Sequence, residues 1–171
     1  MDLFKNENEE MNEVNAEQAE PTTQELLEKV RETVEKANVC FLTTLSGKQL
    51  VSRPMYLLND GFDGDIWFFS KRDSEKLEEI KKDSRVSVSF SGKAFVSLSG
   101  RAEIIDNDLK KQNHWNKNLE QFFGCDYADP SLVLIRVAAE AAHYWENTGT
   151  LGGLIKKVQK MDESVAETID L

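Results

Sequence analysis

Cysteine is nearly absent: Cys40 and Cys125 stand far apart, with no Cys-x-x-Cys and no cluster with a histidine. That spacing offers neither a disulfide framework nor a metal-ligand set, so both read as reduced packing residues. Histidine is as scarce. His114 and His143 are the whole supply, which excludes a histidine-rich metal centre and leaves thin material for a catalytic triad; His143 reads as structural. No metal is expected. No apolar run approaches the ~20 residues of a membrane span, and residues 1–7 lack a basic stretch leading into an apolar one. The expectation is a cytoplasmic protein without a membrane partner. Cations are outnumbered, 21 Lys and Arg against 31 Asp and Glu, for a net charge of -10. Nucleic-acid phosphates are repelled over most of such a surface, so nucleic acid is not an expected partner. The nucleotide-binding glycine motifs, Gly-x-Ser-x-Gly and His-Glu-x-x-His are all missing.

What is there suits one globular domain. At 171 residues, 40% of them apolar, the chain can bury a core without staples. Residues 1–21 are Glu- and Asn-rich and read as a disordered acidic tail, 22–158 as the domain, and 159–171 as an acidic tail that frays. Thr22 or Thr23 caps a helix with an apolar stripe at Leu26, Leu27, Val30 and Val34. Residues 39–45 and 49–58 then read as a hairpin around Ser46-Gly47. A strand at 65–69 runs into a short helix ending near Lys82, with Asp73 the expected N-cap. Residues 85–91 and 94–105 form a second hairpin, with Gly100 marking a bulge or bend. One helical region spans about 109–123, and a last strand covers 131–137 and continues through 142–146. Strands dominate, and several are joined by hairpin-length turns. The pattern predicts a mainly β fold, an antiparallel barrel with peripheral helices.

Two places carry chemistry. In the second strand Arg53 shares a parity with Val51, Met55 and Leu57, so a guanidinium points the same way as three apolar side chains. Its partner is either an internal carboxylate or a ligand phosphate, which matches the guanidinium fork. Pro54 implies that this strand is not paired on both sides. The second place is Ile66-Trp67-Phe68-Phe69-Ser70-Lys71-Arg72-Asp73-Ser74-Glu75-Lys76, an apolar strand opening through hydroxyls and cations into a helix. It reads either as a solvated turn or as a phosphate seat at a helix start. Trp115 is open between core packing and a ligand contact. Glu103 and Asp106 form no recognisable acid-base pair.

Four segments extend this reading: Ser52-Arg53-Pro54-Met55, the run from Ile66 to Lys76, Val96-Ser97-Leu98-Ser99-Gly100-Arg101-Ala102, and Tyr144-Trp145. In that order and spacing, over about residues 23–157, the chain resembles the general-stress-protein branch of the pyridoxamine 5'-phosphate oxidase-like proteins. The resemblance implies a flavin-binding split β-barrel, a homodimer with flavin sites at the subunit interface, and FMN as cofactor, with FAD as the alternative. It further implies that Arg53, Ser70, Ser74 and Lys76 hold the flavin phosphate, with Lys71 in support. Met55 and the backbone of Trp67, Phe68 and Phe69 would border the ring, and Trp145 would reach the partner's site. The resemblance also allows deazaflavin, which some family members bind, while related split barrels bind haem, ill served here by two histidines. The oxidase branch ends in an Arg-x-His segment, where this chain has Leu154-Ile155-Lys156-Lys157. Pyridoxamine phosphate oxidation is therefore not expected. The expected function is a flavin-dependent oxidoreductase using a small-molecule electron donor or acceptor, without an identified catalytic side chain; the alternative is a flavin-binding or sensing module that does not turn over.

Overall fold

The computed structural model describes residues 22–58, 61–146 and 167–170. Helix α1 (Thr23–Glu35) begins with a reciprocal cap: the Thr22 hydroxyl accepts from the Glu25 N–H, and the Glu25 carboxylate accepts from the Thr22 N–H at 2.8 Å. Strands β1 (Val39–Ser46) and β2 (Gln49–Tyr56) form a hairpin that turns at Gly47, where φ is 64° and only glycine is unstrained. Strand β3 (Asp65–Lys71) leads into helix α2 (Glu75–Lys82). A second hairpin joins β4 (Arg85–Ser91) to β5 (Ala94–Ile105). Two short helices, α3 (Asp108–Asn113) and α4 (Lys117–Phe123), precede the long strand β6 (Leu132–Glu146).

Every pairing is antiparallel, in the order β2-β1-β4-β5-β6-β3. The edges of this curled sheet approach each other where the Leu58 N–H donates to the Trp67 carbonyl at 3.1 Å, just past β2 and within β3. The result is an antiparallel split β-barrel with peripheral helices. Pro54 sits on the edge strand β2, facing solvent, where a missing N–H disrupts no second ladder. The acidic end of the chain, which the sequence suggests would fray, contributes a short strand β7 (Glu167–Asp170) paired with residues 141–144 of β6. The expectations for residues 1–21 and 147–166 fall outside the described residues.

The apolar alternation of β1, β4 and β5 fills the barrel with Leu42, Val88, Val96 and Leu98. The stripe of α1 (Leu26, Val30, Val34) and that of α2 (Leu77, Ile80) close it. A second cluster lies on the opposite side of β3 and β6, where Leu58, Phe69, Leu119 and Leu134 are buried. Residues 132–135 are thus covered on both faces, which is why they form a continuous apolar run instead of alternating. The single helical region expected over 109–123 is broken in two. Asn116 accepts from the N–H groups of Asn118 and Leu119 and starts a new helix, releasing Trp115 to pack on Phe69 and Phe123. Trp115 thus packs against the second cluster.

Gly100 marks the bulge: the β5–β6 register shifts between Ser99 and Gly100, and a Cβ at Gly100 would drive into the Ala138 carbonyl. Because backbone meets backbone there, Gly100→Val should destabilise the fold by roughly 3 kcal/mol. A urea-unfolding midpoint equal to that of the wild type would contradict this packing.

Candidate functional site

Strand alternation decides which side chains of β3 enter the barrel. Ile66, Phe68 and Ser70 point inward; Trp67, Phe69 and Lys71 point to the outer side, beneath α3 and α4. Ser70, 2% exposed, is a buried hydroxyl at the end of an apolar strand and therefore needs partners. It has them: its Oγ lies 2.9 Å from Ser74 Oγ and accepts from Lys76 Nζ at 3.1 Å. The N-cap of α2 is Ser74, not Asp73, because the chain stays extended through residue 74 (φ -75°, ψ 142°). The Ser74 hydroxyl makes no cap hydrogen bond of its own; it is turned toward Ser70.

Arg53 enters from β2 on the parity of Met55 and Leu57, as the spacing predicts. Its partner is the internal carboxylate. Nη2 donates to Glu79 Oε2 at 2.8 Å, Nη1 donates to Thr44 Oγ1 at 2.7 Å, and Thr44 Oγ1 donates to the same Glu79 oxygen at 2.6 Å. β1, β2 and α2 thus meet in a ring of guanidinium, hydroxyl and carboxylate. Burial pushes the Glu79 carboxyl up, but the Thr44 hydrogen bond, the charge and hydrogen bond of Arg53, and the Ser46 hydroxyl outweigh it, so its pKa falls below the ordinary value. Burial lowers the Lys76 ammonium from its usual value and the neighbouring Arg53 adds to that, against the opposite pull of Glu79 and Asp73. The two cations therefore feel each other across one small volume at the start of α2.

Ser70, Ser74 and Lys76 are joined by hydrogen bonds, and Arg53 is near enough for its charge to act on Lys76; the side chains of the other candidates have partners elsewhere. Met55 is buried in the core two residues along β2, and Phe68 is fully buried. Trp67 stacks on His114 at 4.6 Å between ring centroids, with Lys110 Nζ 5.5 Å from its centroid, and Phe69 is covered by Trp115 and Phe123. Lys71 reaches Ser131 Oγ at 3.2 Å and approaches Cys125 Sγ, on the outer side of β3. Arg72 binds the Pro130 carbonyl and Asp106. Trp145 stacks on His143 and pairs with Phe95, whereas Ser70 pairs with Val133; along β6 the two places are about 40 Å apart. Cys40 is buried, and burial pushes its thiol up to about 12, which makes it inert at neutral pH.

Thr44 and Glu79 are the residues the sequence reading did not name. Each had a signal. Thr44 falls on the inward parity of Cys40 and Leu42, and Glu79 stands three residues after Lys76 and one before the inward Ile80, on the same helical face.

The arrangement, two cations and two hydroxyls at a strand–helix junction, is suited to holding an anion. Comparison with known proteins agrees with the fold that carries it. Residues 25–167 match the family model "Pyridoxamine 5'-phosphate oxidase like". The chain belongs to this family. Among its relatives are protein bli-3 of Neurospora crassa, 32% identical over 68% of this chain, and general stress protein 26 of Bacillus subtilis, 28% identical over 68% of this chain and 86% of that one. The match spans 63% of the Neurospora protein's length. The solved structure of the general stress FMN/FAD binding protein from Xanthomonas citri superposes with a TM-score of 0.67 at 26% identity, covering 75% of this chain and 93% of that one.

The lowered carboxyl of Glu79 links this ring to pH. A depressed carboxylate contributes its stability in full above the unfolded value near ~4.3 and loses it as pH falls through the native value. Urea unfolding of the wild type should therefore weaken below about pH 4, and Glu79→Gln should lack that part of the loss. Identical acid slopes for the two proteins would contradict the assignment.

Proposed function

We propose that the chain is an FMN-binding protein and that Arg53, Ser70, Ser74 and Lys76 hold the phosphate of the flavin. The observation that carries this reading is the Ser70–Ser74–Lys76 group: a Ser74 hydroxyl diverted from helix capping, a buried Ser70 and a partly buried ammonium converge on one point at the N-terminal end of α2. The group fits a phosphate monoester, which takes several donors at once and is favoured by the positive end of a helix. Membership of the oxidase-like family, and a similar solved structure named as an FMN/FAD binding protein, support the choice of flavin.

Bound flavin would supply hydride or electron transfer; the protein's work is to fix its phosphate and exclude water from one side. The reaction class is accordingly an oxidoreduction with a small-molecule donor or acceptor. We also propose a homodimer as the working unit. Val39, Phe41, Leu50 and Tyr56 are exposed large apolar side chains on one face of the β1–β2 hairpin, a surface suited to a second copy. Trp145 stands at the far end of β6 from Ser70, so it serves a partner's site more readily than its own.

Lys76→Ala should weaken FMN binding on the order of tenfold or more while leaving riboflavin, which has no phosphate, unaffected. Fluorescence titration that finds FMN affinity unchanged would refute the phosphate assignment. Replacing Phe41 and Tyr56 together by Asp should convert a dimer to a monomer in sedimentation equilibrium; a dimer that persists would remove this face from the interface.

A further inference from the structure

We propose that Glu79 is a positioning residue for the anion site, the counter-ion that holds the Arg53 guanidinium at a set place and plane relative to Lys76. The inference rests on the flavin-phosphate reading and goes beyond it, because Glu79 carries the same charge as the ligand and would not be chosen as a binding residue.

The geometry supports this in three ways. First, both terminal nitrogens of Arg53 are engaged, one by Glu79 and one by Thr44, and these two are bonded to each other; such a closed ring fixes the guanidinium plane as a single contact could not. Among the described residues, two of the five N–H donors of the guanidinium are used, which leaves three for an acceptor. Second, Glu79 is 8% exposed and Thr44 is 1% exposed, so neither can exchange its partner for bulk water without cost. Third, Glu79 and Lys76 lie on the same face of α2, one turn apart. The helix that starts at Ser74 therefore carries one cation directly and holds the other through its carboxylate. Arg53, arriving from an edge strand, is referenced to the same rigid element as the rest of the seat.

The groups that act on this carboxylate come from three elements: Arg53 from β2, the Thr44 and Ser46 hydroxyls from β1, and Lys76 from α2. Removing its charge has two opposed effects on an anionic ligand. It relieves repulsion, and it releases Arg53. The ring geometry makes the second effect dominant while Arg53 is present and leaves only the first when Arg53 is absent. Glu79 thus acts through Arg53, and the sign of its effect depends on it.

The test compares FMN with riboflavin by fluorescence titration in the wild type, Glu79→Gln, Arg53→Met and the double variant. The ratio of the two affinities isolates the phosphate. The wild type should prefer FMN, and Glu79→Gln should cut that preference about tenfold with riboflavin affinity unchanged. In the Arg53→Met background the same substitution should cut it no further, or raise it. Thr44→Val, which breaks the other side of the ring with an apolar isostere, should lower the preference on the order of threefold and keeps the test available if Glu79→Gln folds poorly. An unchanged preference in Glu79→Gln and Thr44→Val overturns the inference but not the flavin reading. So does an equal loss in both Arg53 backgrounds, or a parallel loss of riboflavin, either of which marks Glu79 as merely structural. A wild type that binds FMN no better than riboflavin overturns the phosphate reading, and the inference with it.

Discussion

The contact between Arg53 and Glu79 determines how the barrel, the helix and the candidate site fit together. Arg53 sits on the inward parity of an edge strand, where a guanidinium with no partner would be costly. The carboxylate that answers it comes from α2, and the two are bridged by a hydroxyl from β1. A largely buried pair of this kind, its guanidinium partly exposed, is weak evidence for net stability, since apolar residues of the same volume often do as well. What it supplies is a unique geometry. Sliding α2 along the sheet or shifting the β1–β2 register by one residue would separate charges that cannot be left alone. The pair therefore locks the start of α2 beside the open edge of the barrel.

The rest of the fold prepares that place. Because β3 is buried on both faces, its alternation sends Ser70 inward and Lys71 outward, and one short strand serves both a core and a site. The outer face is closed by α3 and α4, whose aromatic contacts with Trp67 and Phe69 hold the strand from behind. The open side of β2 leaves the hairpin face bearing Phe41 and Tyr56 exposed, next to the strand that carries Arg53. The hairpin that carries Arg53 into the barrel on one face thus presents an apolar surface on the other.

Much of this was legible in the sequence because strands advertise themselves by parity. The two hairpins, the inward Arg53, the edge position implied by Pro54 and the bulge at Gly100 all follow from alternation and from residues with restricted backbones. The helix cap was harder: Asp73 and Ser74 are both good capping residues, and only the extended backbone at 74 decides between them. The division of 109–123 into two helices depended on Asn116, one side chain with two local acceptor contacts, against a weak apolar period. Glu79 was hidden among the charges of a surface-looking helix. Its importance comes from Arg53 and Thr44, which are distant in sequence, so its place on the helical face of Lys76 and Ile80 was a signal without a partner to give it meaning. The strand at 167–170 is long-range pairing with no local signal strong enough to foresee it.

The central claim is that this split barrel holds a flavin by its phosphate. Mass-spectrometric identification of the small molecule released when the native protein is denatured tests it most directly. The account predicts FMN, at one molecule per chain. A protein that releases no flavin, or that retains riboflavin in preference to FMN, would contradict it.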